Sequence, residues 1–298
     1  MRERLIINPT AGRGDQAEPV QELAARRSGL EVTATEGPGD AARLAREAAE
    51  AGVDRLIVAG GDGTVSEVIN GAAERLNDVQ FLLVPLGTGN DLARTLSLPD
   101  EPEAAMALLD VGVERRVDLV RAELGGQVRW YVNAATGGFS ERVHEKLTPA
   151  VKAAWGPLAY LRAAVEAAPL IEDHQLQLEL DGEPLSLRAS SVVIANGRFA
   201  GGGIELAPEA SMHDAAVDVL LVTAKTFLER LRAASDFAAG LLEESEGLVS
   251  RRVRRLKIAA EPAMTMVVDG EPIGQTPATF EVVPGAMRML VPADGEAA

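Results

Sequence analysis

Three glycines, one carboxylate and one hydroxyl stand together in the segment GGDGT (60–64), between an apolar run and a helical pattern. Glycine lets backbone N–H groups approach an anion closely, and the positive start of a helix attracts phosphate. Thr64 can cap the helix or bond a phosphate oxygen. Asp62 would repel a phosphate unless a divalent cation accompanies it. The segment therefore indicates either a site for a phosphate with its cation or an ordinary turn before a helix.

Two further polar loops that contain glycine follow apolar runs, namely NPTAGRG (8–14) and PLGTGND (85–91). If these runs are parallel strands, their carboxyl ends share one sheet edge, where the ligands of such sheets gather. The sequence has neither G-x-x-x-x-G-K-[ST] nor a G-x-G-x-x-G that opens a helix after a strand. We therefore expect a phosphate site that is neither a P-loop nor a Rossmann fingerprint.

The elements that must position these loops alternate along the first 115 residues. Short apolar runs typical of strands are separated by segments whose apolar residues recur at helical spacing. This order predicts an α/β domain with a parallel sheet and flanking helices over residues 1–115. The predicted strands cover 3–7, 30–35, 54–59 and 79–84, and the predicted helices cover 16–27, a stretch around 44–48, a stretch around 65–76, and 91–97.

The pattern changes after residue 115 to alternating polar and apolar residues, which is typical of strands. A hairpin with a two-glycine turn opens this part, and we predict a mainly β domain over 116–298. The final residues are expected to fray or to pack back on the first domain. Further predicted strands lie within 174–197, 217–223 and 253–291, with RRVRRLK (251–257) as one strand, and predicted helices lie near 139–147, 157–168 and 226–243.

The composition excludes several classes of function. The 298 residues carry a formal net charge of −16, which works against nucleic-acid binding because phosphates require Lys and Arg. The chain has no cysteine, so disulfides and thiolate metal sites are excluded. No apolar stretch reaches the length of a membrane span or of a secretory signal. We therefore expect a cytoplasmic protein.

The motifs resemble those of a known family of enzymes. NPTAG (8–12), GGDGTVSEVINGA (60–72) and PLGTGNDLAR (85–94) are similar to the lipid kinase catalytic domain that bacterial diacylglycerol kinases share with sphingosine and ceramide kinases. In the second domain, the resemblance continues through NAATGGF (133–139) and residues 195–222 to VDGEP (268–272), so that it covers nearly the whole chain. The GGDGT core alone also occurs in NAD kinases.

The resemblance implies that the protein phosphorylates a lipid hydroxyl with ATP and Mg²⁺, using a cleft between an α/β domain and a β-sandwich domain. Diacylglycerol or a related lipid would be taken from a membrane surface, which implies transient visits to the inner face of the membrane. The residues that the resemblance assigns to ATP are Asn8, Pro9, Thr10, Ala11, Gly12, Thr35, Gly60, Gly61, Asp62, Gly63, Thr64, Glu67, Thr88, Asn90 and Asp91.

The resemblance assigns catalysis to Asp62 and to the VDGEP segment, whose Asp269 and Glu271 include the general base. Asp-Gly is also a common hairpin turn, so the segment has a purely structural reading as well. A Mg²⁺ site in the second domain would use Asp214 with main-chain oxygens of Ser211 and Ala216. The family has glycine where this chain has Ala215, and alanine enters positive φ only at a cost, which puts the metal loop in question.

Two alternatives remain open on the sequence. The shared GGDGT core permits an enzyme like NAD kinase, although the motifs of the second domain oppose it. Ala215 leaves room for a nucleotide-binding protein without catalysis. The sequence identifies neither the acceptor lipid nor the oligomeric state, and a homodimer formed through edge strands is open as well.

Overall fold

The computed structural model describes residues 1–12, 16–138, 172–224, 229 and 247–293. The helices predicted near 139–147, 157–168 and 226–243 lie outside the described residues, apart from residue 229. Among the helices within those ranges, none is both long enough and apolar enough to cross a membrane.

The first part of the chain is the predicted parallel sheet with helices on its faces. The four strands pair in the order β2-β1-β3-β4, all parallel. Every residue of β3 is buried, as expected for a strand covered on both sheet faces. The elements are β1 Glu3–Ile7, α1 Ala17–Ala25, β2 Leu30–Ala34, α2 Asp40–Glu50, β3 Arg55–Gly60, α3 Asp62–Gly71, β4 Gln80–Pro85, α4 Asp91–Thr95 and α5 Pro102–Val111.

Helix α5 has no counterpart in the elements read from the sequence. It begins with Pro102, which fits the first helical turn because the missing N–H needs no partner there. Its buried residues include Ala105, Met106 and Leu108, and the helix packs against α1 and β4. A single 3₁₀ turn over Ala73–Arg75 follows α3. The predicted α/β order is therefore confirmed, with one helix added.

The second part of the chain is a sandwich of two sheets. The smaller sheet has the order β14-β13-β10-β7-β16-β17 and packs on the larger one through a shared apolar core. The strands are β5 Val113–Leu124, β6 Gln127–Tyr131, β7 Ala134–Gly138, β8 His174–Leu180, β9 Glu183–Ala189, β10 Ser191–Ala195, β11 Phe199–Ala200, β12 Ile204–Glu205, β13 Val217–Val222, β14 Leu248–Val253, β15 Arg255–Glu261, β16 Thr265–Val268, β17 Glu271–Gln275 and β18 Ala278–Val291.

The larger sheet runs through both parts of the molecule. The end of β18 pairs in parallel with β4, where Arg288 lies opposite Gln80. Strand β18 also pairs along its length with β5, and β5 crosses the boundary predicted between residues 115 and 116. The last strand therefore joins the α/β sheet to the sandwich, so that the two parts share one continuous hydrogen-bonded sheet.

The segment RRVRRLK is not the single strand that the sequence analysis predicted. Strand β14 ends at Val253 and β15 begins at Arg255, so the segment belongs to two different sheets. The carboxylate of Asp181 accepts hydrogen bonds from the N–H groups of Arg254 and Arg255 at the corner. The corner separates the arginines, which do not form one continuous stripe.

Candidate active site

The loops after β1, β3 and β4 meet at one sheet edge and enclose a cleft of about 460 Å³, here called the glycine-loop cleft. A cavity of this size is in the range that holds a small-molecule ligand. The cleft is lined by Asn8, Thr10, Ala11, Gly12, Thr35, Glu36, Gly37, Pro38, Ala41, Gly61, Asp62, Gly63, Thr64, Glu67, Gly87, Thr88 and Gly89. Pro9, Gly60, Asn90 and Asp91, which were also predicted to contact ATP, are not among these residues.

Several glycines let the loops pack against one another. A Cβ on Gly61 would lie 3.0 Å from the Cα of Gly87, and a Cβ on Gly12 would lie 2.2 Å from the carbonyl oxygen of Leu86. Gly12 also has a φ of 60°, in the left-handed region that favours glycine. A Cβ on Gly63, by contrast, would meet nothing within 4 Å. Of these three, only Gly63 has open space where a Cβ would stand, whereas the sequence analysis assigned all the glycines of GGDGT to the anion.

The side chain of Asn8 connects the loop after β1 with the segment that follows β3. Its amide donates to the hydroxyl of Thr64 at 3.0 Å, and its carbonyl oxygen accepts from the N–H and hydroxyl of Thr10. The Thr64 hydroxyl accepts that bond, so its own proton remains available to an acceptor in the cleft. Gly60 lies behind it, because a Cβ there would lie 2.6 Å from Cβ of Thr64.

Glu67 holds the start of α2 at the edge of the cleft. Its two carboxylate oxygens accept the N–H groups of Gly39 and Ala41 at 2.9 and 3.1 Å. These amides belong to the start of α2, where a negative charge is favourable. Both oxygens therefore position the loop that follows β2, and Glu67 also lines the cleft, so its contact with ATP stays a prediction.

Asp62 begins α3 and lies at the point where the three loops converge. Its carboxylate accepts the N–H of Asp91 at 2.7 Å. Burial, followed by the neighbouring Asp91 charge, raises the pKa of Asp62 to about 6. In the part of the chain that the structure describes, no group of three or more His, Asp or Glu side chains is arranged to hold a metal ion. A cation beside Asp62 would therefore need ligands from another source, such as nucleotide phosphates.

Asn90 and Asp91 hold the third loop and do not face the cleft. The Asn90 side chain bonds both the N–H and the carbonyl oxygen of Gly87, and Asn90 itself has a φ of 53°. The buried Asp91 carboxylate accepts the N–H groups of Gly202 and Gly203 at 3.0 and 2.6 Å. These glycines form the tip of the β11–β12 hairpin in the second domain. Asp91 therefore connects the α/β domain to the second domain through hydrogen bonds.

We expect Asp91→Asn to lower kcat and stability while changing ATP affinity little. An amide has one acceptor oxygen, so one of the two glycine N–H groups would lose its partner, at a cost of about 1–3 kcal/mol. Urea unfolding and nucleotide titration would measure the two effects, with the exposed Asp100→Asn as control. A large loss of ATP affinity without a loss of stability would contradict this structural role of Asp91.

The VDGEP segment forms the two-residue turn between β16 and β17. Asp269 and Gly270 have φ values of 43° and 85°, and Val268 pairs with Glu271. The Asp269 carboxylate accepts the N–H groups of residues 132–134, at 3.1 to 3.2 Å. Burial raises the pKa of Asp269 to about 7, and the charge of Asp62 contributes in the same direction. The turn is thus a structural hairpin that also brings the Asp269 carboxylate close enough to Asp62 for their charges to interact.

Glu271 has a different environment from Asp269. Its side chain is 47% exposed and forms an ion pair with Arg129 of β6. No backbone N–H is among its hydrogen-bond donors in the described part of the chain. An exposed carboxylate that a guanidinium holds in place can meet an incoming hydroxyl, whereas the Asp269 oxygens already accept three bonds.

Asparagine side chains that the sequence analysis did not single out join segments that are distant in sequence. The Asn70 amide of α3 pairs with the backbone of Trp130, donating to its carbonyl oxygen and accepting its N–H, both at 2.9 Å. Fully buried Asn196 donates to the carbonyl oxygens of Asp118 and Val132. Both residues lie inside the quoted motifs (60–72 and 195–222), but their partners are distant in sequence and only the fold supplies them.

The predicted metal loop, residues 211–216 and here called the Asp214 loop, holds its shape with alanine. Ala215 has a φ of 60°, in the left-handed region that favours glycine. The N–H of Ala215 donates to the Asp118 carboxylate at 2.7 Å, which supports this conformation. Arg252 of β14 forms an ion pair with Asp214. The loop is therefore retained, and a protein cation accompanies its carboxylate.

We expect Gly61→Val to impair ATP binding and also to destabilise the free protein, because its Cβ would press on the Gly87 backbone. Overpacking of this kind costs about 1–3 kcal/mol. Gly63→Ala is the matched variant: its Cβ has free space, so we expect the stability of the free protein to be preserved and only nucleotide affinity to fall. Thermal unfolding and ATP titration of both variants would check this, and equal stability losses would contradict it.

The fold and the site define a two-domain enzyme of the lipid kinase class. The model of the family "Diacylglycerol kinase catalytic domain" matches residues 2–122. That of the "YegS C-terminal NAD kinase beta sandwich-like domain" matches residues 133–291. The chain therefore belongs to the diacylglycerol kinase catalytic domain family of lipid kinases, and the resemblance inferred from the motifs is confirmed.

Individual relatives span almost the entire chain. The sequence is 34% identical to "Probable lipid kinase YegS-like" of Stenotrophomonas maltophilia (strain K279a), over 98% of this chain and 96% of that protein. It is 30% identical to "Diacylglycerol kinase" of Bacillus subtilis (strain 168), over 94% and 92%. A crystal structure of a diacylglycerol kinase from Bacillus anthracis str. Sterne superposes with a TM-score of 0.76 at 25% identity, covering 99% of this chain and 98% of that chain.

Proposed function

We propose that the protein transfers the γ-phosphate of ATP to the hydroxyl of a diacylglycerol or a related lipid. The observation that carries the proposal is the convergence of three strand-end loops on Asp62 within one cleft, with the VDGEP turn of the other domain close enough for Asp269 and Asp62 to influence each other. The names of the relatives support a lipid as acceptor.

ATP would lie in the glycine-loop cleft with its phosphates toward Gly63 and Thr64. The exposed face of Gly63 and the start of α3 offer backbone N–H groups and a favourable dipole to the anion. Thr64 can donate its hydroxyl proton, since Asn8 already donates to its oxygen. These groups position the phosphates, which is the main requirement of phosphoryl transfer.

The chemistry of Asp62 fits a divalent cation that arrives with the nucleotide. A carboxylate whose pKa is raised to about 6 by burial and by a second carboxylate is relieved by a nearby positive charge. Mg²⁺ prefers carboxylate and phosphate oxygens, and when bound it would neutralise charge on the transferred group. Asp62 is held by the Asp91 N–H in position to accept such an ion.

We further propose Glu271 as the residue that accepts the proton of the lipid hydroxyl. The carboxylate of Asp269 accepts three backbone N–H groups, which hold the hairpin in place. If Asp269 turned to a substrate, these hydrogen bonds would be lost. Glu271 is exposed, so a lipid approaching from a surface can reach it, and Arg129 restricts its position. A positioned carboxylate is a common general base in enzymes.

The proposal is tested by supplying the protein with Mg²⁺, γ-labelled ATP and mixed micelles that contain diacylglycerol, sphingosine, ceramide or phosphatidylglycerol. We expect labelled product from diacylglycerol or one of the related lipids. Asp62→Asn is the matched inactive control. NAD as acceptor is a further arm, because the GGDGT core is shared with NAD kinases; label on NAD alone would replace the lipid proposal. ATP binding with no labelled acceptor would indicate a binding protein.

A further inference from the structure

The Asp214 loop is the place where the family resemblance implies a resident divalent cation, with Asp214 as its only charged ligand. Among the described residues, the charges around Asp214 do not fit that ion. Arg252 of β14 already forms an ion pair with the Asp214 carboxylate, so a fixed positive charge lies beside the only charged ligand that the ion would have. Because like charges repel strongly at a partly buried site, Arg252 and Mg²⁺ compete for the same oxygen.

We propose that Arg252 replaces the divalent cation of this loop and makes the loop independent of metal. The strand pairing of the sandwich places the Arg252 guanidinium near Asp214. Antiparallel pairing places Arg252 of β14 opposite Asp218 of β13, four residues beyond Asp214. An arginine stem is long enough to reach along its strand to the loop that precedes β13.

Two carboxylates lie on or just before the strand that pairs with β14 at Arg252. Asp218 lies directly opposite Arg252 in the strand pair, and Asp214 lies in the loop that precedes β13. Among the described residues, the ion pair of Arg252 is with Asp214, whose side chain is 27% exposed and therefore partly shielded from solvent.

Protein groups hold the rest of the loop without a cation. The carboxylate of Asp118, itself buried, accepts the N–H of Ala215 and the N–H of Gly285, both at 2.7 Å. Asp214 accepts the N–H of Ala216 at 3.0 Å, and the Met212 carbonyl oxygen accepts the N–H of Asp118 at 2.8 Å. These bonds maintain the positive φ of Ala215. Hydrogen bonds within the protein therefore hold the shape of the loop without a metal ion.

The inference does not rest on the proposed catalytic activity, and its test needs no nucleotide or lipid. Thermal unfolding of the wild-type protein would be compared in millimolar Mg²⁺ and in excess chelator, and Mg²⁺ binding would be followed by calorimetry. We expect melting temperatures that agree within about 1 °C and no heat of binding, because a ligand stabilises only a state that binds it.

The variant Arg252→Gln removes the guanidinium that pairs with Asp214 and keeps the residues of the loop. We expect a lower melting temperature in chelator and a partial recovery in Mg²⁺, by about 2–4 °C. The double variant Arg252→Gln/Asp214→Asn should lose that recovery. Arg251→Gln is the matched control, because Arg251 is the exposed neighbour on β14 and bonds only the Ser250 carbonyl oxygen among the described contacts.

Two outcomes would overturn the inference. One is Mg²⁺ binding by the wild-type protein that Asp214→Asn abolishes while Arg252 is intact. The other is an Arg252→Gln variant that melts and responds to Mg²⁺ as the Arg251→Gln variant does. If Arg252→Gln fails to fold, the wild-type and Asp214→Asn titrations still decide between the two cations.

Discussion

Asp62→Asn is expected to lower kcat by at least about 100-fold while leaving the fold intact. The substitution keeps an oxygen that can accept the Asp91 N–H, so the contact between the first turn of α4 and residue 62 is retained. It removes the carboxylate that lies beside Gly63 and Thr64, where we propose that the phosphates of ATP and their cation bind. The loss is therefore expected in the chemical step, with a smaller effect on nucleotide affinity.

The same variant should be more stable than the wild-type protein above pH 6. An Asp whose folded pKa is raised from 3.8 to about 6 binds its proton more tightly when folded. Its contribution to stability is complete below about pH 4 and is lost as the pH rises through 6. The asparagine side chain of the variant does not titrate, so we expect the variant to gain roughly 2–3 kcal/mol relative to the wild type between pH 4 and pH 8.

Urea unfolding at both pH values and steady-state kinetics with ATP would measure the two effects of Asp62→Asn. Asp110→Asn is a suitable control, because the exposed Asp110 pairs with Arg27 and its pKa is lowered. That control should show no loss of kcat and no gain in stability as the pH rises. Normal turnover by the Asp62→Asn variant would remove this carboxylate from the mechanism.

Glu271→Gln is expected to lower kcat by about 10²–10⁴-fold with little change in the KM for ATP. The amide cannot accept the hydroxyl proton, and the ion pair with Arg129 becomes a neutral contact. The acidic limb of the pH–rate profile should change with the loss of the base. Glu183→Gln, on the exposed edge strand β9, is the matched control.

Asp269→Asn distinguishes the two carboxylates of the turn. We expect a smaller loss of kcat than in Glu271→Gln, together with a change in stability, because the three N–H bonds of residues 132–134 are affected. The folded pKa of about 7 means that the buried charge costs stability as the pH rises toward 7, and the neutral amide of the variant would remove that cost. A wild-type kcat in Glu271→Gln beside an inactive Asp269→Asn would contradict the assignment of the base.

The sequence determined the class of the fold because its periodic signals are local. Buried parallel strands such as β3 are continuous apolar runs, and each is followed by a helix pattern, so the α/β order could be read directly. The family motifs identified the lipid kinases, and residues such as Asp62 and Thr64 do line the cleft. Helix α5 was not predicted, because it follows no glycine loop and belongs to none of the motifs that the site uses.

The tertiary structure decided how individual polar groups are used. Asp91 stands in a motif beside the cleft, yet two backbone N–H groups from a hairpin more than a hundred residues away occupy its carboxylate. Glu67 likewise bonds the start of α2. Spacing along the chain cannot predict such partners, because hydrogen-bond pairing in three dimensions depends on which distant amides lack an acceptor.

What the sequence by itself determined is therefore the family, the two kinds of domain and the segments that form the site. Only the tertiary structure separated the glycines that pack loops together, such as Gly61, from Gly63, which has a free face. It also showed that Ala215 takes a conformation usually reserved for glycine and that Arg252 lies beside Asp214. Backbone strain and charge pairing are both set by surroundings that fold together from distant parts of the chain, and for that reason the motif alone did not reveal them.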